Sequence, residues 1–173
     1  DGPVVNPSYL IFEAFPVLNL VAPSPLWKAL ADDGVAQIGT FAFSDRKLPA
    51  DWVSMKTKPQ PASAFPPEFG YNAVRIPLYL ARAQMGSPEL LDRLKNGMTL
   101  ESGAAGTFDL KSGAVKDVLS DPGYRIIPAL AACAGGGPAV PAELKGFQPT
   151  LYYPSTLHLL ALSFLARNNG ECR

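Results

Sequence analysis

The chain has 173 residues, 47% hydrophobic and only 17% charged, enough for a single domain with a real core over residues 1–173. Fifteen basic residues balance fifteen acidic ones, which argues against a nucleic acid or an anionic membrane surface as partner, because both need a basic excess. No apolar run approaches the ~20 residues of a membrane span, and 18 prolines with 15 glycines describe an ordered but loop-rich chain.

The predicted elements are mostly helices that start at a capping residue followed by proline. Asn6 caps a helix with Pro7 at its first position, and Ile11, Phe15 and Leu18 form its apolar face. Pro16 should kink it. Ser24-Pro25 repeats the punctuation before a helix carrying Leu26, Trp27, Leu30, Val35 and Ile38, with Gly34 as a weak point. Residues 44–55 read as a loop with a short extended piece at Asp51-Trp52-Val53. Residues 57–67 form a proline-rich loop leading to Gly70 and a helix from Tyr71, with Val74, Leu78 and Ala81 on one face.

Ser87-Pro88-Glu89 opens the next helix, with Leu90, Leu91 and Leu94 apolar and Gly97 as its stop. Phe108 to Val115 alternates and turns at Ser112-Gly113, which predicts a small β-hairpin. Arg125 to Ala134 is helical with Pro128 near its start, and Pro154 to Arg167 makes the last helix. The sum is an all-α pattern of about six helices joined by proline-capped loops, as in a bundle or an α-toroid. The single histidine, His158, fits a core or rim position in a leucine-rich helix. Cys133 and Cys172 permit one disulfide or two separate thiols. No metal site and no cofactor motif is expected: there is no Cys-x-x-Cys, and the glycine run at 135–137 ends a helix instead of joining a strand to one.

Tyr71, Asn72 and Arg75 stand together at one helix start, because residues three and four apart share a face. A phenol, an amide and a guanidinium in that arrangement can bind a polyhydroxylated ligand. The competing assignment is a packing ring, a cap and a surface charge. Trp52 can stack on a sugar ring or pack under its loop, and Asp51 is a ligand contact or a turn residue. Glu68, in the proline-rich loop, is a second carboxylate near Asn72 or a surface charge.

These residues carry a resemblance. Tyr71-Asn72-Ala73-Val74-Arg75 resembles the Tyr-Asp/Asn-Ala-x-Arg segment of family 8 glycoside hydrolases. Asn6-Pro7-Ser8-Tyr9, Pro49-Ala50-Asp51-Trp52-Val53 and Tyr152-Tyr153 are similar to family segments in the same order. The resemblance implies an endo-1,4-β-glucanase (a cellulase) that inverts configuration, with an (α/α)6 barrel of which this chain forms the second half. It implies that the chain, opening at Asp1-Gly2-Pro3, is the C-terminal part of a longer, secreted or periplasmic bacterial enzyme. The N-terminal part of the same catalytic domain would then be a partner and hold the general acid, a Glu, and the central Asp. It further implies sugar-binding roles for Tyr9, Asp51, Trp52, Tyr71, Arg75, Tyr152 and Tyr153, with a β-1,4-glucan as ligand. One branch of the family has its base at the position of Asn72, where an amide cannot take a proton; Asn72 would orient the water, and Glu68 is the nearest candidate base, with Asp51 and Glu13 as the further ones. The alternative is a non-catalytic glucan-binding or helical scaffold fragment of such an enzyme.

Overall fold

The computed structural model describes residues 2–167 and 172. Its centre is the short helix α3 (Ile76–Arg82), in which every residue is buried. A helix of the sequence IPLYLAR is apolar on all sides but one, and such a helix is stable only when surrounded. Around it pack α4 (Pro88–Met98), α5 (Pro122–Ala134) and α6 (Tyr152–Arg167). The one charged side chain of α3, Arg82, is matched. It pairs with Glu13 at 2.6 Å and donates to the Ser163 hydroxyl and the Leu160 carbonyl, tying the start of the chain to α6.

Two further helices, α1 (Ala14–Val21) and α2 (Leu26–Thr40), form an antechamber to this core. The expected long first helix is divided. Asn6 does cap, accepting from the Ser8 N–H at 3.0 Å, but it caps a single 3-10 turn over Pro7–Tyr9. The α-helix then restarts at Ala14, which puts Pro16 in its first turn, where a backbone N–H has no helical acceptor and its absence makes no kink. Val17, Leu18, Leu20 and Val21 of α1 and Leu26 and Leu30 of α2 remain exposed.

The chain is not all-α. Two three-stranded antiparallel sheets accompany the six α-helices of the described residues. In the first, β1 (Val4–Val5), β2 (Val53–Ser54) and β3 (Gln60–Pro61) pair in that order. In the second, β4 (Glu68–Phe69) pairs with β5 (Ala105–Asp109), which pairs with β6 (Val115–Leu119). The hairpin is as expected, and Gly113 has φ 74°, the left-handed turn conformation that favours glycine. Four of the strands are two residues long, too short to show alternation, so their pairing leaves no periodic trace. Proline is tolerated in β3 because that strand is an edge.

Two glycines mark close crossings rather than helix ends. Gly97 lies inside α4, where a Cβ would come within 2.5 Å of the Arg46 carbonyl, so α4 continues to Met98. A Cβ on Gly123 would lie 1.8 Å from the Pro154 carbonyl, so the starts of α5 and α6 touch backbone to backbone. Helix α5 begins at Pro122, earlier than expected, and Pro128 falls mid-helix. His158 is fully buried, its Nε2 2.8 Å from the Leu144 carbonyl, a core residue.

Cys133 of α5 and Cys172 form a disulfide with Cα atoms 5.6 Å apart and a sequence separation of 39. In the chain-entropy account a loop of that length contributes about 4 kcal/mol by restricting the unfolded chain. We expect the Cys133→Ser/Cys172→Ser variant to lose a stability of that order in urea titrations of the same protein under non-reducing conditions. An unchanged midpoint and slope would show that the crosslink adds nothing.

Candidate functional site

The segment after β4 is hung on one buried carboxylate. Asp51 is 5% exposed. Its Oδ1 accepts from the backbone N–H of Gly70 at 2.9 Å and of Ala73 at 2.8 Å. Its Oδ2 accepts from the backbone and side-chain amides of Asn72 at 3.4 and 3.3 Å. A carboxylate offers about four lone-pair directions, and here each faces a donor. Asp51 therefore fixes the turn that launches Asn72 and Arg75. Gly70 makes this possible, since a Cβ there would lie 2.6 Å from Asp51 Oδ2 and 3.2 Å from Glu68 Oε1. Tyr71 and Asn72 do not begin an α-helix. They precede a 3-10 turn over Ala73–Arg75, and α3 follows.

Asn72 is oriented by its two neighbours. Its Nδ2 points at Asp51 and its Oδ1 accepts from Arg75 Nη2 at 3.1 Å. The same Nη2 donates to the Ser8 hydroxyl at 2.9 Å. Arg75 thus joins the loop at 70–75 to the 3-10 turn that carries Tyr9. On its other side Arg75 faces the Tyr153 hydroxyl, which donates to the Tyr71 carbonyl at 2.6 Å.

Aromatic rings flank this polar centre in two groups. Tyr9 meets the edge of Trp52 at 6.0 Å, and Trp52 stacks on Phe65 at 4.4 Å. Tyr71, Tyr124 and Tyr153 form a triangle with centroids 6.0 to 6.4 Å apart. Tyr9 is 63% and Tyr71 46% exposed, so both groups present ring surface to solvent. Burial pushes the Tyr153 phenol up to about 12, with Arg75 pulling the other way. Burial, then the neighbouring Tyr71, also takes Tyr124 up to about 12. The Tyr71 phenol is raised by burial and then by Asp117, to which it hydrogen-bonds. All three are therefore neutral hydroxyls near neutral pH and not bases, and Tyr153 already donates its one hydrogen to the Tyr71 carbonyl.

Glu68 lies on β4, partly buried. Its Oε2 is paired with Lys116 of β6, and that hydrogen bond holds the ammonium above its usual range. Its Oε1 turns toward Gly70, on the same side as Asp51. Tyr152 is 87% exposed and joins no ring pair among the described residues. The structure therefore brings together Tyr9, Asp51, Trp52, Glu68, Tyr71, Asn72, Arg75 and Tyr153, with Tyr152 at the margin.

Sequence reasoning misses Ser8, Phe65, Asp117 and Tyr124. Ser8 lies inside the Asn-Pro-Ser-Tyr segment, between a cap and a tyrosine, and nothing local marks it. Tyr124 lies just before the expected start of its helix and has no partner until α5 and α6 cross.

The Asn72–Asp51 contact leads to one expectation. In Asn72→Asp a second carboxylate would face Asp51 across about 3.3 Å. Like charges that close hold a proton between them, while Arg75 favours the new charge from the far side. We expect Asn72→Asp to fold but to melt at a lower temperature than the parent at neutral pH, because two like charges at that distance repel. An unchanged melting temperature would mean that the introduced carboxylate and Asp51 do not interact.

The family model of "Glycosyl hydrolases family 8" matches residues 1–164. A "Probable endoglucanase" of Novacetimonas hansenii is 30% identical over 178 residues, covering 96% of this chain and 48% of the relative. Among solved structures, the endo-beta-1,4-glucanase of Acetobacter xylinum superposes with a TM-score of 0.76 at 28% identity, over 96% of this chain and 52% of that one. The endoglucanase of Komagataeibacter sucrofermentans gives 0.78 at 27%, over 98% and 54%. The chain spans about half the length of these relatives. With a family model running through almost all of it, and through every residue of the site, the chain belongs to the glycosyl hydrolases of family 8.

Proposed function

We propose that this chain is the C-terminal part of the catalytic domain of an endo-1,4-β-glucanase, and that its polar centre positions the sugar at the bond being cut. The observation that carries this is Arg75, a cation held at Nη2 by Ser8 and Asn72 between two aromatic groups. Aromatic rings present flat apolar faces to pyranose rings, and fixed donors orient hydroxyls. No charged partner is demanded by such a ligand, which agrees with the balanced net charge. Tyr9, Trp52, Tyr71 and Tyr153 line the groove, Tyr152 extends its margin, and Asp51 holds the loop that presents Arg75.

In the inverting reaction an acid protonates the leaving oxygen while a base activates water on the opposite face, the two carboxyl groups about 6.5–9.5 Å apart. The acid belongs to the N-terminal part of the domain, which would complete an (α/α)6 barrel of which this chain is the second half. The exposed apolar residues of α1 and α2 support that docking, since patches of this kind mark surfaces covered by other protein. Glu68 is the base, and Asn72, with one lone pair of Oδ1 engaged by Arg75, offers the other to the attacking water. The disulfide supports an oxidising compartment, hence export or the periplasm.

The test is hydrolysis of soluble carboxymethylcellulose by the full-length gene product, with the anomer first released from a cello-oligosaccharide read by proton NMR. Release of the α-anomer supports the assignment, and retention or no hydrolysis overturns it. The chain alone, lacking the acid, is expected to be inactive in the same assay.

A further inference from the structure

Resting on that reading of the site, we propose that Asn6 and Ser8 are positioning residues that set the orientation of the Arg75 guanidinium. Both are almost fully enclosed, Ser8 at 1% and Asn6 at 7% exposure. The hydrogen bonds between them run in only one direction. The Ser8 backbone N–H, which can only donate, points at Asn6 Oδ1 at 3.0 Å, so that atom is the oxygen of the amide. The Ser8 hydroxyl donates to the same oxygen at 2.7 Å. Its lone pairs must then face the other way, and there they accept from Arg75 Nη2. A guanidinium Nη carries two hydrogens, and the second goes to Asn72 Oδ1. Nη2 is thereby used up and the plane of the fork is fixed by two acceptors on different segments.

Arg75 Nε and Asn6 Nδ2 are both buried, and neither has a hydrogen-bond partner. Buried donors in native proteins are almost always paired. With Nε enclosed and unpaired, the Nη2 contacts to Ser8 and Asn72 carry the orientation of the guanidinium, and without the Ser8 hydroxyl it would turn to satisfy Nη2.

The experiment is a double-mutant cycle in the full-length protein, using Ser8→Ala, Arg75→Lys and the pair. We expect Ser8→Ala alone to lower kcat about 10-fold with KM within about twofold, since small misplacements near the reacting bond are felt in kcat. In the Arg75→Lys background the same change should alter kcat by less than about twofold, because the group it positions is gone. A residue that served only folding would instead lower the melting temperature and cost the same in both backgrounds, and that result would overturn the proposal. A second reading does not depend on turnover. The Arg75 Nε proton resonance, assigned by its loss in Arg75→Lys, should exchange slowly in the parent and shift and exchange faster in Ser8→Ala; an unchanged resonance would also overturn it. If the parent protein hydrolyses no glucan, the functional reading fails while this resonance still decides the positioning role.

Discussion

Arg75→Ala in the full-length enzyme is expected to lower kcat on a soluble glucan by about 100-fold, the scale set by a misplacement of about 1 Å. The truncation removes the donor shared by Ser8 and Asn72 and leaves the Asn72 amide with only its Asp51 contact. The loop itself should survive, because its backbone amides at Gly70 and Ala73 are held by Asp51 and not by Arg75. Circular dichroism and the melting temperature should therefore stay close to the parent while turnover collapses. Arg75→Lys should recover little, since an ammonium cannot bridge two fixed acceptors with the geometry of a planar fork. A near-parental kcat for Arg75→Ala would remove this centre from the reaction.

The parts of this molecule that could be read from the sequence are those where a single local rule decides. Ser87-Pro88 starts a helix because a hydroxyl accepts from the Leu90 N–H and proline needs no acceptor for its own nitrogen. The 109–113 turn follows from Asp109 accepting from two backbone amides and from a glycine with positive φ. The parts that could not be read depend on another segment. Asp51 is a turn residue only in a wide sense, because the turn that it holds lies 19 to 22 positions further on. Gly97 looks like a stop until the Arg46 carbonyl is seen against it. Two-residue strands have no pattern of their own and exist because β1 and β3 find β2, and β4 finds β5. The same holds at the site. Tyr71, Asn72 and Arg75 could be grouped by spacing, but Ser8, 67 positions before Arg75, enters only through the fold.

Glu68→Gln separates two accounts of the remaining carboxylate. The change keeps the shape of the side chain and removes its charge. The backbone of Glu68 is independently anchored, its carbonyl accepting from the Asp51 N–H at 2.8 Å and its strand paired with β5, so the fold should hold. If Glu68 takes the proton from water, the amide cannot, and kcat should fall by about 100-fold or more, the usual contribution of a positioned base. Lys116→Met supplies the control. That variant leaves the carboxylate in place but takes away the cation that pairs with it. The group that would take the proton is still present, so the rate should stay within about a few-fold of the parent while that of Glu68→Gln collapses. If Glu68 serves only to anchor Lys116 on β6, the two variants should behave alike, each costing a few-fold at most. Equal and small effects would leave Arg75 and its network intact and send the search for the base to the other carboxylates facing the groove.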